Sequence, residues 1–371
     1  MTTTTRSVPL VDLGWQHREI EGEVLDGWNE VLANTSFILG PQVEAFEREF
    51  AEFCEVGHCI GVGSGTDALE LALRALDVGP GDEVVLPANT FIATALAVSR
   101  LGARPVLVDS DKAHLMSVER LKDVVSSRTK AIIPVHLYGQ MAPVAEIRQE
   151  FPHIPVVEDG AQSQGARRSG QRSGSVGHIN ATSFYPGKNI GAYGDGGAVL
   201  TDSDDLAGRV RKLRNWGSEI KYHHPEMGFN SRLDTLQAAV LTAKLKRLDA
   251  WNALRQVAAG IYHELLADSQ IGLPVVGDSN EHVWHLYVIE VEERDRVLEH
   301  LNSMGVGAGI HYPVPVHLQG AYEHLGYGPG AFPNAEAASH RILSLPMYPG
   351  ITESDQEYVV DCLKQALGHP A

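Results

Sequence analysis

Cysteine is scarce in this chain, with Cys54, Cys59 and Cys362 the only three among 371 residues. Three thiols cannot build a disulfide framework, and they lack the paired close spacing of a structural zinc site, so reduced and mostly buried thiols are expected. Positive charge is short as well: 30 Lys plus Arg against 47 Asp plus Glu leave a formal net charge of −17 with histidines neutral. Such a balance repels phosphate backbones and anionic bilayers, and no basic patch offsets it, which argues against nucleic-acid and membrane-surface roles. No apolar run approaches the ~18 residues that span a bilayer, and residues 1–9 are threonine-rich without the apolar stretch of a secretory signal. A cytoplasmic protein is the expectation. Internal repeats are absent, and low complexity is confined to four threonines near the start.

What is present is an ordinary globular composition, 43% hydrophobic and 21% charged, in a chain long enough for about two or three domains. Residues 10–34 read as a helix-forming arm. In residues 41–54 (PQVEAFEREFAEFC) the spacing of Val43, Phe46, Phe50 and Phe53 puts an apolar stripe on one helical face. A rhythm of short apolar strands and helical segments then sets in: 59–62 before 66–76, 83–86 before 92–101, 105–108 before 118–125, 131–135 before 143–150, and 156–158 before a glycine-broken loop. This alternation predicts a mainly parallel sheet with helices on both faces, whose ligands sit beyond the carboxyl ends of the strands. Long helical patterns follow at 206–216 and 233–265. From about residue 283 the texture changes to a strand (283–291), a helix (294–304), a Pro/His-rich stretch (309–318) and a last helix (354–367), which reads as a smaller α+β unit.

Three segments carry candidate chemistry. Residues 61–67 (GVGSGTD) leave a strand and open a helix, where free backbone N–H groups and the helix dipole suit a phosphate; an ordinary strand-to-helix turn reads equally well. Residues 155–165 (PVVEDGAQSQG) deliver Glu158 and Asp159 at a strand end with Gln162 three residues on. A carboxylate there pairs with a cationic ligand nitrogen, or is simply exposed. Residues 182–197 (TSFYPGKNIGAYGDGG) hold one lysine, Lys188, in a glycine-dense turn with no other basic residue. Desolvation of such a lysine lowers its pKa and makes it a Schiff-base nucleophile.

In this order, phosphate turn, strand-end aspartate, then Ser183 five residues before Lys188, the segments resemble pyridoxal-phosphate enzymes of the aspartate aminotransferase fold. More narrowly the chain resembles the DegT/DnrJ/EryC1/StrS sugar aminotransferases, from residues 9–13 (PLVDL) through 34–44 (NTSFILGPQVE) to 309–318 (GIHYPVPVHL). The resemblance implies a large α/β domain with a mainly parallel seven-stranded sheet over residues 1–245, including the arm, and a small α+β domain over 246–371. It implies a pyridoxal 5'-phosphate Schiff base on Lys188, Asp159 on the pyridine nitrogen, and Gln162 on the ring-oxygen side. Gly65, Thr66 and Ser183 would take the phosphate, and Phe91 would lie on the ring face. In these homodimers the second subunit supplies an asparagine, matched by Asn230 in residues 228–234 (GFNSRLD). Arg232, His311 and Tyr312 map to the nucleotide-sugar side, with Lys221 and Tyr222 as diphosphate contacts or a solvated loop. No metal is implied, because His311 and His317 lack acidic or cysteine partners nearby in sequence.

The implied reaction moves an amino group from L-glutamate to a nucleotide-linked keto-deoxysugar. The run 185–197 is closest to relatives acting at sugar C3, which points to a dTDP-3-keto-6-deoxyhexose, with a C4 keto sugar or keto-inositol as the alternative. The chain departs from the family pattern at Gly160, Ser163 and Gln164. Two rivals remain: an NAD-dependent oxidoreductase, whose glycine spacing Gly61, Gly63 and Gly65 do not match, and a non-catalytic relative, which would have lost Lys188.

Overall fold

Runs such as Val84-Val85-Leu86 and Leu107-Val108 offer no polar face, as strands covered on both sides require, and all five residues are buried. In the computed structural model, which describes residues 6–269 and 271–368, they lie inside a seven-stranded sheet. Its strands are β1 (His58–Val62), β2 (Glu83–Pro87), β3 (Arg104–Val108), β4 (Thr129–Ile132), β5 (Val157–Asp159), β6 (Ile179–Ser183) and β7 (Gly197–Thr201). The spatial order is β3-β2-β4-β5-β6-β7-β1. Parallel bridges from Ile132 to Val156 and from Val135 to Asp159 join its two halves. Only β7 runs against its neighbours.

Helices cover both faces. On one side α3 (Gly65–Ala75), α4 (Ile92–Arg100) and α7 (Asp204–Leu213) enclose a core with Leu71, Leu73, Val98 and Val210. On the other, α2 (Pro41–Cys54) and α8 (Thr235–Leu245) pack through Phe46, Phe50, Leu241 and Phe184, and α5 (Val118–Val124) and α6 (Val144–Glu150) close the far half. The expected stripe on α2 is buried at Val43, Phe46 and Phe50, while Phe53 packs partly buried beneath the Arg172 guanidinium, 4.1 Å from its ring centroid. The arm helix α1 (Leu13–Asn34) starts at Asp12, whose Oδ1 accepts the Trp15 N–H at 3.0 Å, and lies along α8.

The helical pattern at 233–265 is two helices, α8 and α9 (Leu248–Leu266), with the break at Lys246 and Arg247. The α9 helix leads to a second unit. There β8 (Tyr287–Glu290) pairs antiparallel with β9 (Ile342–Leu345), and α10 (Arg294–Ser303) and α12 (Glu353–Ala366) pack on it around Tyr262, Tyr287, Leu301 and Leu363. The strand expected at 283–291 is thus shorter, because Val283 to Leu286 are engaged with the turn at Tyr138 and Gly139. Between these strands the chain returns to the large sheet, with Val316, Tyr322, Leu325 and Phe332 in the α3–α4 core. It ends there in α11 (Pro333–Arg341).

Candidate active site

The carboxyl ends of β1, β5 and β6 meet below one cleft of about 710 Å³, lined by Gly65, Thr66, Phe91, Asp159, Gln162, Ser183, Lys188, His311 and Tyr312 among others. Nine of the thirteen residues named from the sequence are therefore brought together. At one end Ser64 caps α3, its Oγ accepting the Asp67 N–H at 3.1 Å. A side chain at Gly65 would put its Cβ 2.6 Å from the Cβ of Ser183, so glycine alone lets the Ser183 hydroxyl approach the helix N-terminus. The result is a cradle of backbone N–H groups and one hydroxyl.

Adjacent strand residues point to opposite faces, and this separates the two strand-end acids. Asp159 enters the cleft. Its Oδ2 accepts the Thr94 hydroxyl at 2.8 Å and its Oδ1 the Ala161 N–H at 3.2 Å. Since Thr94 donates to the carboxylate, Thr90 donates to Thr94, at 2.8 Å. Burial pushes the Asp159 carboxyl up, against Thr94, Ala161 and Lys188. Glu158 points away from the cleft and is fully buried. It receives His136 Nε2 at 2.7 Å and the N–H groups of Gly174, Val176 and Gly177. Burial disfavours its charge, but these donors outweigh it and hold the carboxyl below its ordinary value.

Lys188 sits in the loop between β6 and β7, its N–H bonded to the Tyr185 carbonyl at 2.8 Å. Removal from water lowers its pKa to about 8, with Asp159 pulling the other way. Gln162 is fixed at both ends: Oε1 accepts the Tyr138 N–H at 2.7 Å and Nε2 donates to the Tyr312 hydroxyl at 3.1 Å. The rings of Tyr312 and Phe91 lie 5.1 Å apart. His311 shares a hydrogen bond with Ser344 through Nδ1 at 2.8 Å, and burial, then Lys188, bring its pKa down to about 4.

Four named residues lie outside this cleft. Lys221 and Tyr222 are exposed and face each other, Nζ 5.0 Å from the ring centroid. Asn230 is exposed, and Arg232 stacks 4.3 Å over Trp216 while donating to Asn215 at 3.1 Å. His317 pairs with Glu336 at 2.9 Å away from the cleft. Thr90, Thr94, Tyr138 and His285 belong to the site without having been marked; Thr94 and His285 read as parts of a helical and an apolar pattern. The departures have local causes. A Cβ at Gly160 would stand 2.6 Å from Asn180 Nδ2, and Gln164 Nε2 bonds Thr182 Oγ1 at 2.8 Å and the Ser183 carbonyl at 3.0 Å.

The cleft fits a phosphorylated pyridine aldehyde. It offers an anion cradle, a lysine with depressed pKa, and a buried carboxylate whose charge calls for a cationic nitrogen. Comparison with known proteins agrees. The model of the DegT/DnrJ/EryC1/StrS aminotransferase family matches residues 18–364. The erythromycin biosynthesis sensory transduction protein EryC1 of Saccharopolyspora erythraea is 47% identical, over 96% of this chain and 99% of its own. The dTDP-3-amino-3,4,6-trideoxy-alpha-D-glucose transaminase of Streptomyces venezuelae is 44% identical, over 97% and 96%. A crystal structure of S. venezuelae DesV in complex with a ketimine intermediate superposes with a TM-score of 0.95 at 44% identity, covering 97% of this chain and 98% of that one. The chain belongs to the DegT/DnrJ/EryC1/StrS aminotransferase family, enzymes whose cofactor is pyridoxal 5'-phosphate.

Proposed function

We propose that this protein transfers the amino group of L-glutamate to the C3 keto group of a dTDP-linked 6-deoxyhexose. The observation that carries the reading is that Lys188 and Asp159 line one cleft, together with the Gly65–Ser183 cradle. The cofactor, when bound, supplies an electron sink that stabilises negative charge on the carbon losing its proton. The rest falls to the chain. Gly65, Thr66 and Ser183 would hold the cofactor's phosphate, and Asp159, aimed by Thr94, would keep its ring nitrogen protonated. Phe91 and Gln162, which line the same cleft, would bear on its ring. Lys188 Nζ, whose pKa burial lowers to about 8, would hold the cofactor and move the proton at the reacting carbon.

Regiochemistry rests on the run 185–197 and on the S. venezuelae relative named for a 3-amino sugar. The alternative within the class is a C4 keto sugar or a keto-inositol.

The working unit is a homodimer with shared active sites. Asn230, Arg232, Lys221 and Tyr222 stand outside their own cleft, on a segment that exposes Trp216, Ile220 and Met227, the last 87% exposed. Apolar side chains so exposed suit a second copy. Asn230 of one chain then completes the phosphate site of the other, and Arg232, His311 and Tyr312 hold the nucleotide sugar. The test is turnover: purified protein with glutamate and dTDP-3-keto-6-deoxyglucose should yield the 3-amino sugar and 2-oxoglutarate, and amination at C4 or none at all refutes the assignment.

A further inference from the structure

His285 is buried on the wall of the same cleft and takes no part in the steps above. Its neighbours determine which ring nitrogen bears the proton. Asn252 donates Nδ2–H to the Gln164 carbonyl at 2.9 Å, so its Oδ1 accepts, taking Asn189 Nδ2 at 2.8 Å. The same Asn189 nitrogen donates to the Val283 carbonyl at 2.9 Å. Backbone carbonyls only accept, so both amide orientations follow, and Asn189 Oδ1 is the atom 3.3 Å from His285 Nδ1. Nδ1 carries the hydrogen, and Nε2 is left with a lone pair and no hydrogen-bond partner among the described residues.

The ring is held as well as polarised. Asn189 follows Lys188 in the chain, and the backbone N–H of His285 lies against Gly139, where a Cβ would stand 2.8 Å from it. Burial first, then the proximity of Lys188 and Arg255, holds the imidazole's pKa well below its ordinary value. Three neighbouring groups in the cleft are already engaged. Asp159 is bonded to Thr94 and Ala161, His311 Nδ1 to Ser344, and the Tyr312 hydroxyl to Gln162.

We propose that His285 Nε2 is a further catalytic base, the acceptor of the proton that an incoming ammonium group sheds before its nitrogen attacks. This rests on the aminotransferase reading above. The amino donor arrives protonated and attacks only through its lone pair. One N–H bond breaks, the proton goes to Nε2, the electron pair stays on the amine nitrogen, and His285 becomes imidazolium. Substrate carboxylates and the cofactor phosphate supply the negative charge that makes this proton tolerable. In the second half-reaction the product amine takes the proton back from Nε2, so the cycle closes without another reactant.

The experiment follows the visible absorbance of the cofactor-loaded protein mixed with L-glutamate, from about pH 6 to about pH 9. Wild type is compared with His285→Phe, His285→Gln and His285→Ala. Binding of 2-methylglutamate, which has no α-hydrogen to lose, is titrated spectroscopically over the same range. Wild type should change little with pH near neutrality. His285→Phe should fall about 100-fold near pH 7. Its rate and its 2-methylglutamate affinity should then rise about tenfold per pH unit, as the free-amine fraction does. His285→Gln, which offers an acceptor but no base, should keep that slope. Free imidazole should speed His285→Ala. A loss independent of pH and untouched by imidazole marks a structural role and overturns the proposal, as do variants that match wild type. A wild type that does not respond to glutamate overturns the aminotransferase reading instead.

Discussion

The Thr94 hydroxyl donates to Oδ2 of Asp159 at 2.8 Å, linking the start of α4 to the end of β5 across 65 residues of sequence. Both side chains are buried. A hydrogen bond to a buried carboxylate contributes about 1.5–3 kcal/mol. Thr94→Val should therefore leave the fold intact and weaken pyridoxal phosphate binding by roughly ten- to a hundred-fold, read from the dissociation constant in a fluorescence titration. Unchanged affinity would remove Thr94 from the site.

Gly65 tests the cradle by size alone. Gly65→Ala places a methyl 2.6 Å from Ser183 Cβ and 3.1 Å from its Cα. The backbone or Ser183 must shift, at about 1–3 kcal/mol. Melting temperature should fall modestly, while cofactor capture and its protection against dissociation should fall far more. Equal losses in both would make Gly65 a packing residue only.

Glu158 governs stability rather than chemistry. Glu158→Gln removes a carboxylate that gathers four donors in the interior and should cost about 3 kcal/mol. The native carboxyl titrates below its ordinary value of 4.5, so the folded state binds this proton less readily than the unfolded one. Its contribution is then complete above about pH 4.5 and fades as pH falls through the native value. The gap in melting temperature between wild type and Glu158→Gln should be widest near neutrality and narrow in acid. A gap that widens in acid contradicts the assignment.

The shared-site dimer predicts complementation. Lys188→Ala and Asn230→Asp should each be inactive. Mixed after dissociation and reassociation, half of the dimers pair one of each and hold one intact site of two, so activity should return to about a quarter of wild type. A mixture as inactive as its parents would place Asn230 and Lys188 in the same chain's site, or neither in any.

Much of this was legible because the chemistry demands unusual neighbours. Lys188 stood out as the one basic residue in a glycine-dense turn, and Asp159 as an acid delivered by an apolar strand. Less legible were residues whose role depends on the fold around them. Thr94 sits in an unremarkable helical run, and only the packing of α4 on the sheet brings it to Asp159. His285 lies in an apolar stretch that reads as core, and its polarity comes from Gln164, Asn252 and Asn189, distant in sequence. Glu158 and Asp159 look equivalent on paper; the two-residue period of the strand sends one into the core and one to the cleft. The strands β6 and β7 escape the strand–helix rhythm because a loop, not a helix, joins them. Nothing in the periodicity of 233–265 marks the turn at Lys246 and Arg247.

Lys188 is the residue proposed to hold the cofactor and yield it to an amino donor. The direct measurement is to load the protein with pyridoxal phosphate, reduce one sample with borohydride before L-glutamate is added and one after, and locate the added mass by peptide mass spectrometry. The phosphopyridoxyl group should be found on the Lys188 peptide before glutamate and should disappear afterwards, with one 2-oxoglutarate formed per site. Label on another lysine, or label on Lys188 that glutamate does not remove, would contradict that role.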